Sequence, residues 1–524
     1  RRALVVSLWE KFVAGETSVA QDEPLDFDHG APNADTDPSR GLKHESGVGH
    51  VTGGALYVDD IAQRRPMLEC WPVCSTQARA RILRLDTGKA RRAPGVVAVL
   101  TAEDVPGENN VGTARHDEPL FATAEVFYHG QIVALVVGDS IRACRAAASL
   151  VEIEYEPLEP IVGIAQAVER GSWHTEPHVL TRGDCDAALS AAPHRLEGTF
   201  DSGGQEHFYL ETHAAWAEPG EKGTFFVCSS TQHPSEIQTI IAEVMGVPRN
   251  AVVVQSPRMG GGFGGKEVQG NAVAALVALA AARTGKPARI QLDRDLDVTI
   301  TGKRHPFRSR FEAGYDEEGR ILAAAVELVS DGGWSLDLSQ PIMDRALLHV
   351  DNVYYIPAVR FTGRVARTNT TSHTAFRGFG GPQGMLMIEE IMDRIARRLG
   401  LPPEVVRKRN LYRGSGETNT TPYGMEIGDN RLQEVWSRVE VSAGLARRRE
   451  EIASWNARSG RVKRGIAITA EKFGISFTHA PYNQAGAYVV VYQDGTVQVN
   501  HGGTEMGQGL HTKVLGVAMR ELGL

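Results

Sequence analysis

The chain has 524 residues, 42% of them hydrophobic, enough for several domains with large cores. Its formal net charge of −8 leaves no basic excess to neutralise phosphates, which argues against a general nucleic-acid binder. No run of about 18 apolar residues reads as a membrane span, and five scattered cysteines without a CxxC pair signal neither a disulfide framework nor a zinc or iron–sulfur site. A reducing cytoplasm is the expected compartment.

In chain order, "RRALVVSLWEKFVAGE" lacks the uninterrupted apolar core of a signal peptide and reads as the closing helix of something upstream. Both ends read as cut. Residues 21–43 include "QDEPLDFDHGAPNADTDPSRG", acidic and rich in Pro, Gly and Asp, and read as a linker. From 44 to 165 a mixed α/β region is expected. "APGVVAVL" predicts a buried strand, and "GQIVALVVGDSIRACRAAASLVEIEYEPL" predicts strand, helix and strand, with Ile141, Cys144, Ala147 and Ala148 on one helix face. Residues 166–524 read as one large assembly with long antiparallel hairpins, turning at Asp316–Gly319 and at Asp494-Gly495. The fold class is therefore mixed α/β, or α+β.

Three glycine loops stand out, each expected to open a helix. In "RMGGGFGGKEVQG" (258–270), Gly260, Gly262 and Gly265 fit G-x-G-x-x-G. Gly260 to Lys266 also match most of a Walker A loop, but Glu267 replaces its Ser/Thr, so the magnesium ligand is missing and nucleotide hydrolysis is excluded. A dinucleotide reading stays open from this loop alone, although antiparallel hairpins do not suit a doubly wound parallel sheet. "TAFRGFGGPQGM" (374–385) precedes an amphipathic helix carrying Ile388, Ile391, Met392, Ile395 and Leu399 on one face. "HGGTEMGQGLHTK" (501–513) closes a hairpin strand and opens a third helix. Gln383 and Gln508 sit beside the glycines, and Gln205 follows the paired glycines of "GGQEHFYLETH" (203–213). Several loops of one design point to an elongated polar ligand held by backbone groups and amide side chains.

Together with "GKRHPFR" and "GISFTHAPYNQAGA", these stretches closely resemble, in order, the molybdopterin domain of the xanthine dehydrogenase/xanthine oxidase family, from about residue 44 to the end. Residues 1–20 resemble the close of that family's FAD domain. The resemblance implies a hammerhead-like α/β domain over 44–165 and a molybdopterin-binding domain over 166–524, truncated on its C-terminal side. It implies a Mo-molybdopterin cofactor with no side chain on the metal. Gln205, Gly262, Phe263, Gly264, Arg377 and Gln508 would hold that cofactor. Glu267 and Arg304 would be catalytic, and Phe379, Phe477 and Thr478 would bind substrate. Taken alone, Arg304 reads as a solvated charge, the two phenylalanines as core, and Glu267 as a dipole partner at a helix start. His207 and His305 read as structural.

The implied reaction hydroxylates xanthine or hypoxanthine with oxygen from water, electrons leaving through 2Fe-2S clusters and FAD on other parts of the complex. The family's general-base glutamate has no counterpart before Leu524, and Glu505 does not match it. A companion chain carrying the rest of the domain, and a homodimer of protomers, are the expected partners. An aldehyde oxidase-like hydroxylase and a non-catalytic scaffold are the alternatives.

Overall fold

A computed structural model describes residues 41–414 and 416–523. The FAD-domain-like segment 1–20 and nearly all of the linker 21–43 lie outside the described residues. The chain divides into two units: residues 52–508, and a smaller one in which residues up to 51 join 509 onward. In the smaller unit the helix Leu510–Leu522 accepts, through Thr512 Oγ1, the backbone N–H of Glu45 at 3.0 Å.

The larger unit rests on two sheets. The first has seven strands in the spatial order Val252–Gln255, Phe225–Ser229, Ala214–Pro219, Ala288–Gln291, Leu68–Cys74, Ile132–Gly138 and Val96–Leu100. Its pairing is mixed: Leu68–Cys74 runs parallel to Ala288–Gln291 and antiparallel to Ile132–Gly138. One sheet therefore joins strands from before and after residue 165. The helix Gly270–Thr284 packs on it, beside Pro234–Met245. Its run of Ala, Val and Leu is buried on nearly every side, which is why it shows no polar face. Gly285, in the left-handed region at φ +66°, ends it.

The second sheet has five strands, ordered His178–Arg182, Ala358–Ala366, Ile321–Asp331, Phe307–Tyr315 and His194–Ser202. The hairpin expected at Asp316–Gly319 is there, with the Gly319 N–H on Asp316 O at 3.0 Å. Against this sheet lie the helices Ser339–Leu347 and Gly381–Leu399. Ile388, Ile391, Met392 and Ile395 are all fully buried, as their spacing predicts. The second hairpin, Ala487–Val491 with Val497–His501, turns around Gly495 at φ +86°.

Two local expectations change. Val96–Leu100 is an edge strand, and Val97 is exposed because nothing pairs beyond it. In the helix Ile141–Ala148 the buried stripe narrows to Cys144 and Ala147, while Ile141, its first residue, is exposed. Because Ile391 fills the core beneath the site, Ile391→Ala is expected to cost about 3 kcal/mol, read as a lowered thermal unfolding midpoint.

A cleft between two Gly-Phe-Gly-Gly turns

Gly262-Phe263-Gly264-Gly265 and Gly378-Phe379-Gly380-Gly381 have the same sequence and form the same turn. Phe263 and Gly264 have φ of +56° and +101°, and Phe379 and Gly380 have +50° and +97°. In each, the last glycine N–H bonds the first carbonyl at 2.9 Å. Positive φ at both central positions characterises the type I′ turn, in which a phenylalanine is strained. Glycine is obligatory at the next position. A Cβ on Gly264 would lie 2.6 Å from Ala375 O, and one on Gly380 2.0 Å from Ile342 O. The turns are joined directly, the Arg377 N–H donating to Phe263 O at 2.8 Å.

Behind the first turn, Gln232 Oε1 accepts the N–H of Gly264 at 2.8 Å and of Lys266 at 3.4 Å. Lys266 is fully buried. Its Nζ donates to Glu211 O at 2.7 Å and to Ser230 Oγ at 2.8 Å, and lies 3.2 Å from Glu211 Oε2. The same carboxylate oxygen accepts the Gly260 N–H at 2.8 Å, so Glu211 ties both ends of the loop. Contrary to the expectation from sequence, the helix begins only at Gly270, and its first turn is not the glycine loop.

The two turns border a cleft of about 940 Å³, closed further by Phe208, Gln232, Glu267, Phe376, Arg377 and the loop ending in Gln508. Phe208, Phe263 and Phe379, all with positive φ, line it, so backbone strain gathers here. Among the described residues, the N–H groups of Gly261, Gly262 and Phe263, the Gln232 amide nitrogen and the Arg377 guanidinium have no protein partner. No group of three His, Cys, Asp or Glu able to hold a metal lies in the cleft. The donors are backbone N–H, amide and guanidinium beside aromatic rings, which fits an organic cofactor with anionic groups. The Gln508 amide is partly committed, to Met506 N and Thr504 O.

At one end the Phe379 and Phe477 rings stand 5.7 Å apart at 53°, the separation of an aromatic pair. Phe477 is held by reciprocal bonds with the Asn483 side chain, and Thr478 Oγ1 reaches Pro341 O at 3.5 Å. Arg345 donates to the carbonyls of Gly474 and Ser476, and its guanidinium lies 5.8 Å from the Phe379 ring centroid. Burial pushes the Glu267 carboxyl up to about 7, opposed by the nearby His233.

The structure brings together Gly262, Phe263, Gly264, Glu267, Arg377, Phe379 and Gln508 on this cleft, with Phe477 packed on Phe379. Gln205 and Arg304 stand elsewhere, which corrects the roles expected of them. They pair with each other, Arg304 Nε on Gln205 Oε1 at 2.6 Å, and Arg304 Nη2 donates to Arg377 O at 3.0 Å. The Arg304 guanidinium covers the back of Phe376 at 3.9 Å, opposite the His207 ring at 4.4 Å. Arg304 thus braces the second turn from behind, and the cation beside the ring pair is Arg345. His207, kept neutral by burial, bonds Ala375 O at 2.7 Å and supports the same turn.

Sequence reasoning passed over Gln232 and Arg345. The signal for Arg345 was an arginine in phase with Ile342, Met343, Ala346 and Leu347 on a buried helix face. Gln232 sits where a strand ends two residues before a proline that opens a helix. A second cavity, of about 550 Å³, is lined by Tyr412, Trp436 and Ile468. The cations at its rim are already paired, Arg431 with Asp429 and Lys472 with Asp351.

Comparison with known proteins adds three family matches. Residues 171–411 and 438–524 each match a molybdopterin cofactor-binding domain, and residues 52–159 match the a/b hammerhead domain of aldehyde oxidase and xanthine dehydrogenase. Xanthine dehydrogenase/oxidase of Gallus gallus is 46% identical over 486 residues, 93% of this chain and 36% of that protein. Xanthine dehydrogenase of Dictyostelium discoideum is 41% identical over 506 residues, 96% and 37% respectively. The chain therefore spans little more than a third of the length of these relatives. Among solved structures, aldehyde oxidoreductase from Desulfovibrio gigas has a TM-score of 0.76 at 26% identity, over 87% of this chain and 51% of that one. Quinoline 2-oxidoreductase from Pseudomonas putida 86 has a TM-score of 0.79 at 24% identity, over 92% and 64%, a likeness of fold alone.

Removing the buried ammonium leaves Glu211 without its cation, so Lys266→Met is expected to destabilise by about 3 kcal/mol, measured by chemical unfolding. Gly264→Ala should loosen the contact between the two turns, and limited proteolysis should then cut within 258–266 faster than in the parent protein.

Proposed function

Because the chain belongs to the xanthine dehydrogenase/xanthine oxidase family, we propose that it forms the cofactor- and substrate-binding part of a molybdenum hydroxylase acting on xanthine or hypoxanthine. The 2Fe-2S and FAD centres that take the electrons would lie on parts of the protein outside this chain, in a cytoplasmic assembly of paired protomers. The observation that carries the reading is the coincidence, around one cleft, of an aromatic ring pair, a cation beside it and a carboxyl group on the same wall.

Molybdopterin, when bound, supplies the hydroxylating and electron-accepting chemistry. The backbone N–H groups of Gly261–Phe263, the Gln232 amide and Arg377 would hold it, with Gln508 completing the grip. A flat purine would lie between Phe379 and Phe477, one ring stacked and the other meeting it edge-on. Glu267 would bond one polar edge of the ring. Arg345 would stabilise negative charge developing on the ring during attack, a contribution on the order of 3 kcal/mol for such a group. Thr478 would close the substrate side. Gln205 and Arg304 would act indirectly, by fixing the turn that carries Phe376, Arg377 and Phe379. Burial of the Glu267 side chain matters here, since it lets the carboxyl titrate near neutrality, where it can either donate or accept.

The full-length protein should contain about one molybdenum per chain, by elemental analysis, and should oxidise xanthine in preference to an aromatic aldehyde. Preference for the aldehyde would favour an aldehyde oxidase-type specificity instead. Arg345→Met should lower kcat/KM for xanthine by roughly 100-fold with the molybdenum content unchanged. Phe379→Ala should raise KM by about 10-fold in steady-state assays.

A further inference from the structure

We propose that His233, held by Glu236, is a positioning residue for the substrate-facing carboxyl group, its cationic ring keeping Glu267 in the charged form. This rests on the reading of Glu267 as the residue that meets the substrate.

The placement follows from the backbone. Residues 231 and 232 run beside the end of the glycine loop, the Gln232 N–H donating to Lys266 O at 2.8 Å and Thr231 Oγ1 to the same oxygen at 3.3 Å. The next residue on each side is His233 and Glu267. His233 also begins the helix Pro234–Met245, whose first turn carries Glu236. There its Nδ1 lies 3.2 Å from Glu236 Oε2, and Asn271 Nδ2 donates to the other carboxylate oxygen at 3.0 Å. Glu236 is thus fixed from behind, and the imidazole is fixed by Glu236.

The charges work in one direction. His233 is drawn to its protonated form first by the hydrogen bond to Glu236 and then by the two carboxylates around it. The positive ring favours ionised Glu267, against burial and against Glu236 itself. Two further carboxyls, Glu118 and Asp337, face Glu236 from neighbouring elements, and burial holds both toward the acid form. They add little negative charge that His233 would have to answer. Gln232 holds the glycine loop, so adjacent residues of one segment support the cofactor side and tune the substrate side.

The test is the pH dependence of hypoxanthine binding to the full-length, molybdenum-loaded protein, reduced anaerobically so that no turnover occurs, by isothermal titration calorimetry. The ligand's own ionisation is common to every variant and cancels in the comparison. In the parent protein the affinity should change across a midpoint near neutrality, and Glu267→Gln should abolish that change. His233→Gln should move the midpoint up by about half a pH unit, since an opposite charge near a carboxyl lowers its pKa and this one is half-exposed. His233→Lys, which keeps a cation without an imidazole, should bring the midpoint back to the parent value or below. If Glu267→Gln retains the midpoint, both the role of Glu267 and this inference fall. If Glu267→Gln abolishes it but His233→Gln leaves it in place or lowers it, or His233→Lys behaves like His233→Gln, only the inference falls.

Discussion

A lysine ammonium with no access to water is the constraint around which the site is built. Lys266 cannot keep its charge inside the protein unless every N–H is answered, and it is answered by a carboxylate, a carbonyl and a hydroxyl. The carboxylate also holds Gly260, so the glycine loop is closed at both ends by one ion pair. With its ends closed, the loop has little choice but to turn back tightly, and Phe263 takes the strained conformation that such a turn imposes.

The second turn repeats the first because it must match it. Arg377 N–H meets Phe263 O, and Gly264 passes so close to Ala375 that no side chain fits between them. Each turn is backed by different chemistry. The first rests on Gln232 and the Lys266 clasp. The second rests on Phe376, held between a neutral histidine ring and the Arg304 guanidinium. The two sheets bring these supports from far apart in the chain, Gln232 from the seven-stranded side and Arg345 from a helix lying on the five-stranded one. What emerges is a rigid wall with unpaired N–H groups on one side and two phenyl rings on the other.

Much of this was legible beforehand. Glycine runs flanked by regular elements, the Asp-Gly and Asp316–Gly319 turns, and the 3.6-residue spacing in Gly381–Leu399 are local signals whose physics is local. The motifs in their order also placed most of the cleft, from Gly262 to Gln508. The failures were of one kind. Arg304 and Gln205 sit in motifs as distinctive as any other, yet their side chains turn toward each other and away from the cleft. Arg345 sits in no glycine motif and reaches the ring pair across an interface between a helix and a distant loop.

The amino-acid sequence by itself determined where the chain turns, which helices exist, which residues have no room for a side chain, and to which family the chain belongs. These depend on backbone conformation and on the order of residues, both of which are written along the chain. Only the tertiary structure decided which of two arginines stands beside Phe379, and that His233 lies next to Glu267. Those outcomes depend on which carbonyls, carboxylates and rings the two sheets bring within a few ångströms of one another, and a one-dimensional pattern carries no such distance.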